Sequence, residues 1–148
     1  MCEWTGRVHA LQDCAFRAWT YRQPANPSPA STAITTNPKT KLFLGIAIPL
    51  GLIVSELVTN AAKHAFNDGF PVSDAPSIFV GLSMGNENSF CLEVCDNGQG
   101  FPENFDINTS ASKGLTLINS LVKQMKAELV IANNNGSAVI ISTKKNNE

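Results

Sequence analysis

The sequence predicts an α+β fold, a two-layer sandwich in which a mixed sheet carries helices on one face. Three observations predict it. Short apolar runs bounded by glycine, proline and asparagine read as strands, and two other runs space their apolar residues as helices do. Their order is strand, helix, strand, strand, helix, strand, strand. With 148 residues, 43% of them hydrophobic, the chain is one domain long and can bury a core without disulfide or metal staples.

Each element follows from local chemistry. Val8, Leu11, Ala15 and Ala18 have helical spacing and predict a short helix within Met1–Arg22. Gln23–Pro38 holds four prolines, which break helix and strand ladders alike, so it reads as a linker. Residues 1–40 are therefore expected to be a helical remnant with a poorly ordered linker, and residues 41–148 the folded domain. Leu42–Ile46 is a short apolar strand candidate, and Pro49 suits the first turn of a helix running to about Phe66.

Ser77–Met84 and Phe90–Cys95 pair as a hairpin across Gly85–Asn88. Asp96–Ser112 begins with glycines and a proline and shows little periodicity, which marks a functional loop or a mobile one. Leu115, Ile118, Leu121, Val122 and Met125 define a second helix, Gly114–Met125. Glu128–Ala132 and Ala138–Ser142 close the fold as a hairpin across Asn133–Gly136.

Composition narrows the function. A formal net charge of −1 offers no electrostatic case for nucleic acid or an anionic membrane, so phosphate binding would rest on backbone N–H groups and placed cations. Cys2, Cys14, Cys91 and Cys95 match no zinc spacing. On one strand Cys91 and Cys95 would lie about 13 Å apart, too far for a disulfide. Reduced thiols and a cytoplasmic setting are expected. Leu42–Val54 is apolar but shorter than the roughly 20 residues that cross a bilayer, so no membrane segment is expected.

Three constellations carry chemistry. On the first helix Glu56, Asn60 and Lys63 fall at i, i+4 and i+7, with His64 beside them. A carboxylate, a carboxamide oxygen and an ammonium in one stripe suit a hydrated Mg²⁺ and a phosphate chain. Next, Asp96-Asn97-Gly98-Gln99-Gly100-Phe101-Pro102 follows a strand, where Asp96 can accept from an exocyclic amine such as that of adenine. Gly98 and Gly100 allow close backbone approach. Finally, Ser112-Lys113-Gly114-Leu115-Thr116 opens the second helix and points N–H groups at an anion. Each alone has an ordinary explanation: a solvated helix face, an Asn–Gly turn, a plain helix start.

Their order and spacing together are far more specific. Glu-x-x-x-Asn-x-x-Lys-His, then Asp-x-Gly-x-Gly, then a Gly-Leu helix start resemble the N, G1 and G2 boxes of the GHKL (Bergerat-fold) ATPases and kinases. Pro49–Phe66 is similar to the catalytic domain of sensor histidine kinases of the HisKA_2/HWE type. The resemblance covers about residues 41–142 and implies an ATP site with Mg²⁺. It makes Asn60 the Mg²⁺ ligand and Glu56 the catalytic residue that orients or deprotonates the attacking group. Lys63 and His64 would lie near the phosphates, with Lys113, Gly114 and Leu115 at the helix start beneath them. Asp96 would take the adenine amine, Gly98 and Gly100 would shape the pocket, and Gly136–Ser137 matches the family's closing Gly-Thr.

The sequence departs from that pattern in places. Ser55 replaces a usual Asn, Lys113 a usual Leu, no separate F box is visible, and the Phe101–Ser112 lid is short. No H-box phosphoacceptor is found, and His9 is a poor substitute. The expected function is a histidine kinase domain transferring the ATP γ-phosphoryl to a histidine on a missing segment or partner, and thence to a response regulator. An anti-sigma-factor-type serine kinase and a non-catalytic nucleotide-binding module are the alternatives. A monomer is expected if the dimerisation helices are missing.

Overall fold

The computed structural model describes residues 31–36, 44–66, 75–84, 89–109, 112–133 and 135–143. The helix expected in Met1–Arg22, His9, and the turns at residues 67–69 and 85–88 lie outside them. The elements are β1 (Ser31–Thr36), α1 (Leu44–Asn60) with a π-helical turn at Ala61–Ala65, β2 (Ser77–Met84), β3 (Phe90–Asp96), α2 (Lys113–Gln124), β4 (Ala127–Asn133) and β5 (Ser137–Thr143). The strands form one sheet in the order β1-β2-β3-β5-β4. β1 runs parallel to β2 and the other pairs are antiparallel, which makes the sheet mixed, as expected.

The first strand is not where the sequence placed it. Leu44 already opens α1, and the strand lies in Ser31–Thr36, within the stretch read as linker, so the sheet reaches across the expected boundary at Thr40. The reason is compositional. Thr32, Ile34, Thr35 and Thr36 are β-branched, and Pro29 and Pro38 flank the strand without entering it. A strand on the sheet edge needs only one partner, here β2. Parallel pairing demands a crossover, which α1 supplies. Pro49 sits a full turn inside α1 rather than in its first turn, and it forgoes the N–H bond to Gly45.

Register builds the core. Val80, Val94, Val139 and Ile131 form one cross-strand row, and Leu82, Leu92, Ile141 and Leu129 the next. On that face lie Leu50, Ile53 and Leu57 from α1 and Leu115, Ile118 and Val122 from α2. Ile53, Leu92, Ile118 and Ile141 are fully buried. Both helices therefore cover one face of the sheet.

Together α1 and its π turn, Leu44–Ala65, make 22 helical residues that contain an 18-residue window of mean hydropathy 1.7, long and apolar enough to cross a bilayer. The apolar run counted from sequence was shorter because it stopped at Val54, before the helix does. One flank of this helix is buried in the domain core, while Leu44, Ile48 and Leu52 stay exposed. Removing the side chain of Ile118, which is walled in on all sides, should lower stability by about 3 kcal/mol. Urea unfolding of Ile118→Ala checks this.

Candidate nucleotide-binding site

Alternation along β3 puts Phe90, Leu92, Val94 and Asp96 on the helix-covered face, so the strand ends with a carboxylate where its predecessors are core residues. Asp96 is only 5% exposed. Its Oδ1 accepts from the N–H of Gly98 at 2.8 Å and of Ser137 at 3.3 Å. The Ser137 hydroxyl donates to Oδ2. A buried carboxylate is tolerated when such donors surround it. These bonds join the end of β3, the glycine turn after it and the start of β5.

The glycine turn is pressed against the C-terminal end of the first helix. A Cβ on Gly98 would run into the carbonyl oxygen of Ala65, and the Gln99 N–H donates to that same oxygen at 3.0 Å. Asn97 fixes the other side: its Oδ1 accepts from Ser77 N–H at 2.8 Å and its Nδ2 donates to Ala75 carbonyl at 3.0 Å. Gly136 holds φ +128°, and a Cβ there would strike the Asp96 backbone. After Gly100, Asn133 brackets Phe101, accepting its N–H at 2.8 Å and donating to its carbonyl at 2.7 Å. Sequence reasoning gave Asn97 and Asn133 no role. Their signal was only their place beside glycine turns, where asparagine is common.

The loop that follows is pinned down. Phe101 and Phe105 stack with centroids 4.5 Å apart, and both lie against the core with Ile107. Asp106 accepts from the N–H of Asn108 at 2.9 Å, and Asn108 accepts from Asn119 of α2 at 3.1 Å. This fixes the run from Phe101 to Thr109 to the helix that closes the site.

At the start of α2 the first constellation meets the third. A Cβ on Gly114 would collide with the Glu56 carboxylate and stand 3.9 Å from the Asn60 amide nitrogen. A larger residue at this position would have to push the Glu56 carboxylate aside. Ser112 precedes the helix without a side-chain capping bond, so the first-turn N–H groups lack that cap. The helix dipole adds positive potential at the same place.

Other predicted residues are differently placed. Lys63 and His64 are exposed on the π-helical turn, whose wider spacing carries them away from the strict i, i+4, i+7 stripe. Lys113 is exposed at the first position of α2, and the Leu115 side chain is buried in the core. Among the described residues no three of His, Cys, Asp and Glu gather as a metal cluster.

The structure thus sets a buried carboxylate and a tightly packed glycine turn at the end of β3, and a helix N-terminus beside Glu56 and Asn60. The sequence profile of the histidine kinase-, DNA gyrase B- and HSP90-like ATPases matches residues 45–147, and the chain belongs to that family. It is 30% identical over 91 residues to blue-light-activated histidine kinase 2 of Erythrobacter litoralis (strain HTCC2594), covering 62% of this chain and 25% of that protein.

Among solved structures, the histidine kinase domain of the Erythrobacter litoralis EL346 blue-light-activated kinase superposes with TM-score 0.67 at 24% identity. That match covers 90% of this chain and 58% of the other. The ATP-binding domain of PrrB from Mycobacterium tuberculosis gives TM-score 0.57 at 20% identity, with 90% of each chain covered. The chain thus spans a quarter of the curated relative and about three fifths of the first solved kinase domain.

The glycine contacts make a paired prediction. Gly98→Ala should lower stability by about 2 kcal/mol through the clash with Ala65. Gly51→Ala, on an open helix surface with nothing within 4 Å of a new Cβ, should raise it by about 0.5–1 kcal/mol. Urea midpoints of both variants decide. Equal shifts would contradict the packing described.

Proposed function

We propose that this domain is the ATP-binding catalytic domain of a sensor histidine kinase, transferring the ATP γ-phosphoryl to a histidine on another segment or protein. The observation that carries this reading is one juxtaposition. The Asp96 carboxylate stands at the mouth of the Gly98 turn, and Glu56 and Asn60 face the start of α2.

Asp96 accepts the exocyclic amine of adenine while Ser137 and Gly98 hold its carboxylate in place. The first-turn N–H groups of α2 receive phosphate oxygens, with Lys113, Lys63 and His64 exposed nearby as further cationic or donor groups. Asn60 offers the amide oxygen for Mg²⁺, which would neutralise phosphate charge. Glu56 accepts the N–H of the incoming imidazole, so the other ring nitrogen presents its lone pair to phosphorus. A nitrogen–phosphorus bond forms as the bond to the ADP oxygen breaks. Positioning and charge stabilisation supply most of the rate.

The phosphohistidine would then be relayed to a response regulator. Cys91 and Cys95 form no disulfide among the described residues, which fits a reducing, cytoplasmic setting.

ATP binding by calorimetry, with and without Mg²⁺, tests the site. Asp96→Asn should weaken ATP by about a hundred-fold or more, since an amide N–H facing the adenine amine repels it. Glu56→Ala should leave binding within a few-fold and slow transfer to an isolated phosphoacceptor helix on the order of 10²–10⁴-fold. The product should be labile in acid and stable in alkali, as a phosphoramidate is. The opposite lability would mean a hydroxyl acceptor, and unchanged affinity in Asp96→Asn would reject the pocket.

A further inference from the structure

The glycine turn after β3 is gripped at both ends by a single rung of the sheet. Register pairs Asn133, the last residue of β4, with Ser137, the first of β5. Ser137 holds the near end of the turn, since its N–H and its hydroxyl both donate to the Asp96 carboxylate. Asn133 holds the far end. Its Oδ1 accepts the Phe101 N–H at 2.8 Å and its Nδ2 donates to the Phe101 carbonyl at 2.7 Å, so one carboxamide satisfies both backbone groups of one residue. Just before Phe101, Gly100 has φ +77°, and a Cβ there would stand 2.8 Å from Asn133 Oδ1 and 3.2 Å from the Gly136 carbonyl oxygen. The Asp96–Phe101 turn therefore begins and ends on the same rung.

We propose that Asn133 is a positioning residue for the nucleotide base. It acts through the turn: by tying Phe101 to the Ser137 rung, it holds the Gly98–Gly100 backbone at a fixed spacing from Asp96. The proposal rests on the reading of Asp96 as the adenine-amine acceptor and adds the group that sets the width of that pocket. Asn133 is exposed, so water can replace its partners when they are lost, and its bonds contribute little to global stability. What they fix is direction. Phe101 stacks on Phe105 and packs against the core, so its backbone is the joint between the glycine turn and the loop that leads to α2. A joint locked before the ligand arrives leaves less ordering to be done on binding. The residue type is specific to the task. A carboxamide accepts and donates at once, whereas a carboxylate could take the N–H but would repel the carbonyl.

Calorimetry of ADP and inosine diphosphate on the full chain and on its Asn133→Ala and Asn133→Asp variants tests this, with urea unfolding of each protein alongside. In Asn133→Ala, ADP should bind about ten-fold more weakly and inosine diphosphate within about three-fold, so the preference for the amine shrinks while the urea midpoint moves little. Asn133→Asp keeps the acceptor and turns a charge on the Phe101 carbonyl, and it should lose at least as much ADP affinity. A preference for ADP that stays unchanged in both variants, whatever the urea midpoints do, would make Asn133 a structural residue only. That result overturns the proposal and leaves the adenine reading standing. If the folded, unaltered chain binds neither nucleotide, the adenine reading itself fails and the proposal falls with it.

Discussion

A carboxylate buried at the end of the central strand must be surrounded by donors, and that requirement at Asp96 organises the site. Its donors come from Gly98 and Ser137, the first in the turn leaving β3 and the second at the start of β5. Hydrogen bonds to a charged group are worth about 1.5–3 kcal/mol each, more than most single contacts in the fold. The bonds oblige the chain after β3 to turn at once and oblige β5 to begin beside it. Gly136, in a conformation that side chains rarely adopt, is what lets the β4–β5 turn pass against the Asp96 backbone.

A second constraint fixes the other wall. The Ala65 carbonyl, on the π turn that ends the first helix, accepts from Gln99 and lies where a side chain on Gly98 would be. The glycine turn is thereby clamped between Asp96 and the helix that carries Glu56 and Asn60. That helix packs its Leu50–Ile53–Leu57 flank on the sheet, so the core sets the distance between the adenine end and the phosphate end of the proposed site. Gly114 completes the geometry by bringing the positive end of α2 to the Glu56 carboxylate.

Much of this was legible in the sequence because the relevant signals are local. The hairpin strands were bounded by turn residues, and Ser77–Met84 falls where expected. Asp96, Gly98, Glu56, Asn60 and Gly114 stood out by residue type and spacing, and the fold brings them to one end of the sheet. The misses were non-local. β1 lies among prolines and gains its pairing only from β2, which the sequence around it does not reveal. Leu42–Ile46 has strand-like composition, but its residues from Leu44 onward are recruited by the helix that crosses the sheet. The Glu56–Asn60–Lys63 stripe assumed 3.6 residues per turn, and the π turn after Asn60 breaks that period. Asn97 and Asn133 act across 20 and 32 residues of chain, through bonds no local pattern records.

The central claim is that the Asp96 carboxylate recognises an amine donor on the ligand base. Calorimetry comparing ADP with inosine diphosphate on the unaltered chain tests it directly, because the two differ at the base position that Asp96 would face. The account predicts that replacing the amine with a carbonyl weakens binding by about 3 kcal/mol, on the order of a hundred-fold. Equal affinity for the two nucleotides would contradict it.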